Sequence, residues 1–213
     1  MRSAQTVLSR FCPLLLLLLA TRGGAMAQLQ MGPELRVNTG TVGEQTHPSV
    51  AVDAAGNFLV VWAGDAVAAQ RFDVRGRRRG GELLIDDEFS ASIDVAMNGA
   101  GEFVAAWTGT FARLTVGRFA PTGAATFGPV ERYGYSAAAV GTAADGSFVV
   151  AWSNYSFYYG AYPSIERFDR RGRSLETIYQ GGYTPALAMN PAGDFILVWG
   201  SDRRILGQRF DAA

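Results

Sequence analysis

With 19 basic and 19 acidic side chains in 213 residues, the chain is balanced in charge, which argues against a general affinity for nucleic acid or anionic membrane. It holds one cysteine and one histidine, too few for a disulfide framework, a cysteine metal site or a histidine metal cluster. Stability must come from packing, and the length suits a single domain with a full core.

The first residues read as a secretory leader. Arg2 and Arg10 supply a positive region, Phe11–Ala20 (FCPLLLLLLA) an apolar core, and Ala25-Met26-Ala27 an A-x-A cleavage site. The apolar run is about half of the roughly twenty residues that a spanning helix requires, so no membrane span is expected. Cys12 precedes the leucines instead of following them at the cleavage point, which argues against lipidation. Removal of residues 1–27 would leave 28–213, a cysteine-free chain with 16 basic against 19 acidic residues, exported to the periplasm or beyond the cell.

From residue 33 onward the chain is built on a repeat. PELRVNTG (33–40) reads as a lone strand with no partner ahead of it. HPSVAVDAAGNFLVVW (47–62), SIDVAMNGAGEFVAAW (92–107), AAAVGTAADGSFVVAW (137–152) and TPALAMNPAGDFILVW (184–199) then share a turn glycine, a Phe two residues on and a Trp four beyond that. The glycines Gly56, Gly101, Gly146 and Gly193 and the tryptophans Trp62, Trp107, Trp152 and Trp199 step by 45, 45 and 47 residues. A second shared element follows in each unit: AQRFDVRG (69–76), VGRFAPTG (116–123), IERFDRRG (165–172) and GQRFDAA (207–213). Each unit therefore predicts strand a, a tight turn, strand b, a loop, strand c, a D-x-x-G turn and strand d (ELLID, PVERY, LETIY).

Four antiparallel strands in about 45 residues is the pattern of a β-propeller blade, so the fold class is all-β. In the first unit Phe58, Val60 and Trp62 point one way and Leu59 and Val61 the other, as in a sheet sandwiched between two neighbours with the Trp as spacer. A β-solenoid is the alternative, although its rungs are usually shorter. The units fall at about 41–87, 88–134, 135–182 and 183–213, and the last stops before its strand d. Pairing of Leu35–Asn38 beside Leu206–Phe210 would complete it, giving a monomeric closed ring of four blades with no open edge. A half-ring that pairs with a second copy into eight blades is the rival arrangement.

The run PSVAVDAAGNFLVVW followed by AQRFDVRG, with LRVNT ahead of it, resembles a repeat that recurs in many bacterial secreted and surface proteins, broadly P-x-V-A-x-D-x-x-G-x-F-V-V-x-W and then Q-R-F-D-x-x-G. The resemblance covers nearly all of 33–213 and implies an exported propeller-like scaffold; it brings no known activity or catalytic residue with it. Units two and three depart from it, with Ala120 in place of the Asp after the Phe and Ala143 at the place of Asp53, Asn98 and Asn190. The tryptophan motif of quinone-dependent dehydrogenase propellers, A-x-D-x-x-T-G-x-x-x-W, does not fit, because the Gly-to-Trp spacing here is two residues longer and the Thr is missing.

Few residues read as chemistry. His47 is a lone loop histidine; Asp53, Asn98 and Asn190 lack the oxygen density of a calcium loop and suit hairpin turns. Arg71, Arg118, Arg167 and Arg209 precede the strand-c Phe in every unit and read as scaffold ligands to a neighbouring carboxylate or carbonyl. Asp86, Asp87 and Glu88 have no facing acidic partner. No nucleophile elbow or phosphate loop occurs, so no enzyme, metal or cofactor is expected.

Departures from the repeat are the informative features. From Trp to the strand-c Arg the intervals are 9, 11, 15 and 10 residues, so SNYSFYYGAYPS (153–164) is an insertion in the b-to-c loop of unit three. All eight tyrosines lie between 133 and 183. In an up-and-down blade the b-to-c loops and d-to-a junctions share one end, so Tyr133, Tyr135, Tyr155, Phe157, Tyr158, Tyr159, Tyr162 and Tyr183 are expected to converge as a ligand-binding face for a glycan or a protein partner. Packing of the rings on one another to hold a long loop is the alternative. The arginine-rich c-to-d turns, Arg75, Arg77, Arg78 and Arg79 in unit one and Arg170, Arg171 and Arg173 in unit three, should crown the opposite end.

Overall fold

Alternating runs and Asx-Gly turns form hairpins wherever the repeat predicts them. The structure, a computed structural model, describes residues 34–134, 136–156, 160–179 and 182–212; from Leu35 onward the chain forms one compact unit. Blade one consists of β1 (Gln45–Val52), β2 (Phe58–Gly64), β3 (Val67–Phe72) and β4 (Leu83–Asp86). Blade two is β5 (Ser90–Met97), β6 (Phe103–Gly109), β7 (Arg113–Phe119) and β8 (Ala125–Tyr133). Blade three is β9 (Ser136–Thr142), β10 (Phe148–Ser156), β11 (Gly160–Phe168) and β12 (Ser174–Tyr179). Blade four holds β13 (Tyr183–Met189), β14 (Phe195–Ser201) and β15 (Arg204–Phe210). Each is an antiparallel sheet in chain order, four-stranded in the first three and three-stranded in the fourth.

The a-to-b turns explain their conserved spelling within the chain. In blade one the Gly56 amide donates to Asp53 O and the Asp53 amide to Asn57 O, a type I turn with a following bulge. Asp53 Oδ1 accepts from the amides of Ala55 and Asn57, both at 2.9 Å. Gly56, Gly101, Gly146 and Gly193 hold φ between 81° and 101°, the left-handed region in which a β-carbon is strained. Asn98 and Asn190 serve their turns as Asp53 does, so these oxygens are spent on backbone.

The two Phe of each unit form a stacked cross-strand pair. Phe58 and Phe72, Phe103 and Phe119, Phe148 and Phe168, and Phe195 and Phe210 stand opposite one another, their centroids 4.6–4.8 Å apart. Each blade has a front carrying the Phe and Trp and a back carrying the residues between them. The back of blade one (Leu59, Val61) packs on the front of blade two (Phe103, Trp107), and the same step joins two to three and three to four. Burial of such apolar faces, at roughly 25 cal/mol per Å², is the main cohesive force.

Polar bonds repeat with the packing. Arg71 donates to Pro121 O, Arg118 to Arg170 O, and Arg167 to Asp211 O at 2.7 Å, so the strand-c arginine of one blade caps the c-to-d turn of the next. Trp107 Nε1 donates to Asp86 Oδ2 at 2.7 Å and Trp152 Nε1 to Tyr133 O at 3.0 Å, each reaching strand d of the preceding blade.

Closure differs from the expectation. Leu35–Asn38 does not pair with β15 among the described residues, and blade four keeps three strands. The segment lies instead against blade one: Arg78 donates to Arg36 O and Asn38 O, and the Thr39 amide and hydroxyl reach Glu82. The physical reason is that blade one supplies charged partners at that place, Arg78 and Glu82; on the back of blade four Ile196 is exposed.

Candidate functional site

The b-to-c loops and the d-to-a junctions do share one end of the blades. At this end the Gly134 amide donates to Ala112 O at 2.7 Å and the Thr184 amide to Ser153 Oγ at 3.0 Å, so both junctions flanking blade three abut the loop ends of blades two and three. Tyr133, Tyr179 and Tyr183 are exposed here. Tyr162 is half-buried, its ring edge-on to Tyr179 with centroids 6.0 Å apart. The Tyr183 hydroxyl donates to Asp202 O at 2.8 Å, and its ring lies over Gly200, which ties it to blade four. Tyr135, Phe157, Tyr158 and Tyr159, and the side chain of Tyr155, lie outside the described residues.

Two residues that the sequence reading passed over join this end. Phe111, in the b-to-c loop of blade two, is almost fully exposed with φ at 59°, an unusual backbone state for a bulky residue and a frequent mark of a functional position. Phe89, at the junction into blade two, is exposed beside it. The signal was available, because the Trp-to-Arg interval of unit two, 11 residues, already exceeds the 9 of unit one. Arg113 sits below them, paired with Glu88 and, at 3.2 Å, with Glu131. The result is an aromatic rim over blades two to four, with one arginine shared by two glutamates beneath the part on blade two.

The opposite end carries the arginine turns. Asp145, Arg167, Asp169, Arg170, Arg171 and Arg173 line a groove of about 440 Å³ between blades three and four. Four arginines face two aspartates in this lining: Arg173 pairs with Asp169 at 2.8 Å, and Asp145 takes the Ser147 hydroxyl and amide. The Asp169 carboxyl is held below its ordinary range, first by the Arg173 amide, with desolvation opposing.

The four inner strands hold one carboxylate, Asp94. Its oxygens accept from Ser49 Oγ at 2.9 Å and from the Val140 amide at 3.0 Å, so it joins blades one, two and three. His47 is exposed at the irregularity in β1, with Nδ1 2.8 Å from Thr46 Oγ1. Among the described residues no three His, Cys, Asp or Glu side chains gather as a metal cluster, and no helix is long and apolar enough to cross a membrane.

No protein-family model matches the chain, and no curated protein matches it. Solved structures do. The computationally designed Ika4 protein is 15% identical, with 86% of this chain and 100% of that one covered and a TM-score of 0.54. The GH43 β-xylosidase/α-arabinofuranosidase CoXyl43 from a compost microbial metagenome, in complex with xylotriose, is 12% identical over 84% of this chain and 77% of that one, with a TM-score of 0.51. The subtype N11 neuraminidase-like protein of A/flat-faced bat/Peru/033/2010 is 11% identical over 79% and 50%, also at 0.51. This chain spans between 50% and 61% of the first solved chains that it matches. At these identities the likeness is one of fold: consecutive antiparallel blades of propeller type.

Proposed function

We propose that this chain is an exported, non-catalytic recognition module that binds a glycan across the aromatic rim of blades two to four. The observation that carries the reading is the concentration of exposed rings, Phe111, Tyr133, Tyr179 and Tyr183, at the one end of the blades where loop length escapes the repeat. Flat rings stack on sugar faces with little rotamer entropy to lose, and tyrosine adds a hydroxyl for the sugar hydroxyls. The use of Asp94 as a tie between blades supports a binding over a hydrolytic role, which would call for two carboxylates flanking a bond. A scaffold role without a small ligand is the second reading, favoured by the Tyr183 bond to Asp202 and by the edge contact of Tyr162 with Tyr179.

The test is a glycan array, xylo-oligosaccharides included, probed with the purified protein and with Tyr133→Ala/Tyr179→Ala, both checked for fold by circular dichroism. Each ring contributes about 0.5–1.5 kcal/mol beyond its area, so the double variant should lose about tenfold or more in affinity. Unchanged binding in the variant would move the site elsewhere. Absence of signal from both proteins would turn the search to protein partners or to the scaffold role. Export is checked separately by N-terminal sequencing of the secreted chain, which should begin at Gln28.

A further inference from the structure

We propose that the slot between blades one and two is a binding site for a small organic cation, an amine that carries an apolar body. The first support is a gap in the repeat. Val60, Ala105 and Val150 pair with Gln70, Gly117 and Glu166, so these three hold one strand-c position in successive blades. Gln70 is 1% and Glu166 3% exposed, each a long polar side chain buried at that position. In blade two the position is Gly117, and a cavity of about 270 Å³ opens there. Pockets for drug-sized ligands run from roughly 300 to 1,000 Å³, so the occupant is small.

The next interface shows what such a place holds. There the Arg132 guanidinium of β8 donates from Nε and Nη2 to the Glu166 carboxylate of β11, both at 2.7 Å. Arg132 is thus an alkyl stem with a cationic head. Ala69 pairs with Leu83 and Val116 with Val130, so Ile85, two residues past Leu83, stands where Arg132 stands, two past Val130. Between blades one and two both members of the ion pair are therefore replaced, the arginine by Ile85 and the glutamate by Gly117. Both residues line the cavity.

The rest of the lining selects the ligand. Trp107, Phe119 and Phe127 give an apolar body its bed, and an indole ring also attracts a cation to its face. At the loop end Asp86, Glu88 and Glu131 line the cavity with a single cation, Arg113, which Glu88 and Glu131 share. Three carboxylates against one guanidinium leave the lining negative, which favours an ammonium over an anion of the same shape. Thr115, opposite Trp107 across the strands, is 4% exposed and also lines the cavity. Its hydroxyl has no hydrogen-bond partner among the described residues. A buried hydroxyl without a partner is costly, and an ammonium N–H would supply the missing bond.

Isothermal titration calorimetry of the purified protein with 2-phenylethylamine, and with 3-phenylpropanoate as an anion of nearly the same body, tests the proposal. The amine should bind once per chain with a millimolar or tighter Kd, and the anion at least about tenfold more weakly. No binding of the amine up to about 10 mM, or equal binding of the two, overturns it. Gly117→Gln, which installs the residue of unit one, should abolish binding with an unchanged circular dichroism spectrum. Thr115→Val and Glu131→Gln keep the test open should Gly117→Gln fail to fold, and each should weaken the amine about fivefold or more. Any of the three that folds and still binds the amine as tightly as the parent refutes the slot.

Discussion

Arg132 and Glu166 offer the sharpest test of how the blades are held. Arg132 stands on β8 and Glu166 on β11, and the guanidinium donates from Nε and Nη2 to the two carboxylate oxygens, both at 2.7 Å. The Glu166 side chain is 4% exposed and that of Arg132 34%, so one charge is buried and the other reaches water. Arg132→Met leaves the buried carboxylate bare. Breaking such a pair costs about 3–5 kcal/mol, and the partly wet arginine side places this one near the low end, about 3 kcal/mol. For a chain of this size that corresponds to a melting temperature roughly 6–12 °C lower. Arg132→Met/Glu166→Met removes both charges and should recover to within about 1 kcal/mol of the parent, since the desolvation cost leaves with the attraction. Thermal and urea unfolding at one fixed protein concentration measure both. A double variant as unstable as the single one would refute the reasoning, because the loss would then come from packing and not from an orphaned charge.

Two further predictions concern the turns. Gly172→Ala should cost about 2–4 kcal/mol in urea unfolding, since its φ is 78° and an added β-carbon would stand 2.0 Å from the Phe127 ring; Gly160→Ala, with φ at 72° and nothing within 4 Å, should cost only about 1 kcal/mol. Equal losses would show that the blade two–three contact at Gly172 is not tight. The carboxyls of Asp73, Asp145, Asp169 and Asp194 are held below their ordinary range, the first mainly by the Arg77 amide and the second by the Ser147 hydroxyl. Folded values below unfolded ones give stability that is present above the unfolded pKa and lost as pH falls through the folded one, so stability should be level above about pH 5 and fall below about pH 4. Asp73→Asn/Asp169→Asn keeps the turn acceptor, as Asn98 and Asn190 do, and should make the acid limb shallower; an unchanged limb would refute the assignment.

The blades were legible in the sequence because each is local. A Gly at positive φ, an Asx before it and alternating apolar residues after it specify a hairpin without reference to the rest of the chain. The Trp and Arg positions were legible as scaffold because they recur, and the structure supplies partners for most of them: strand d of the preceding blade for Trp107 and Trp152, and a turn carbonyl of the next blade for Arg71, Arg118 and Arg167. The place of Leu35–Asn38 was not legible, since it depends on how the blades pack and is written in no single motif. The segment at 35–38 was recognised as a strand d, but which blade face it covers rests on Arg78 and Glu82, charged residues outside the repeat pattern. Tyrosine content does not reveal Phe89 and Phe111; the physical signal for Phe111 is the length of its b-to-c loop.

That signal has a structural cause. At the end with the a-to-b and c-to-d turns, each blade's strand-c arginine bonds to the turn of the next blade, in all three interfaces. A residue inserted there would move the carbonyl away from the guanidinium and leave a charge-assisted bond unmade, a cost of about 1.5–3 kcal/mol at each interface. Among the described residues the b-to-c loops carry no such arginine-to-carbonyl bond, and their intervals run 9, 11, 15 and 10 residues. The scaffold therefore fixes one end of the blades and leaves the other free to vary. Exposed rings gathered at the free end are what a recognition surface requires, because there new side chains can be tried without loosening the stack that holds them.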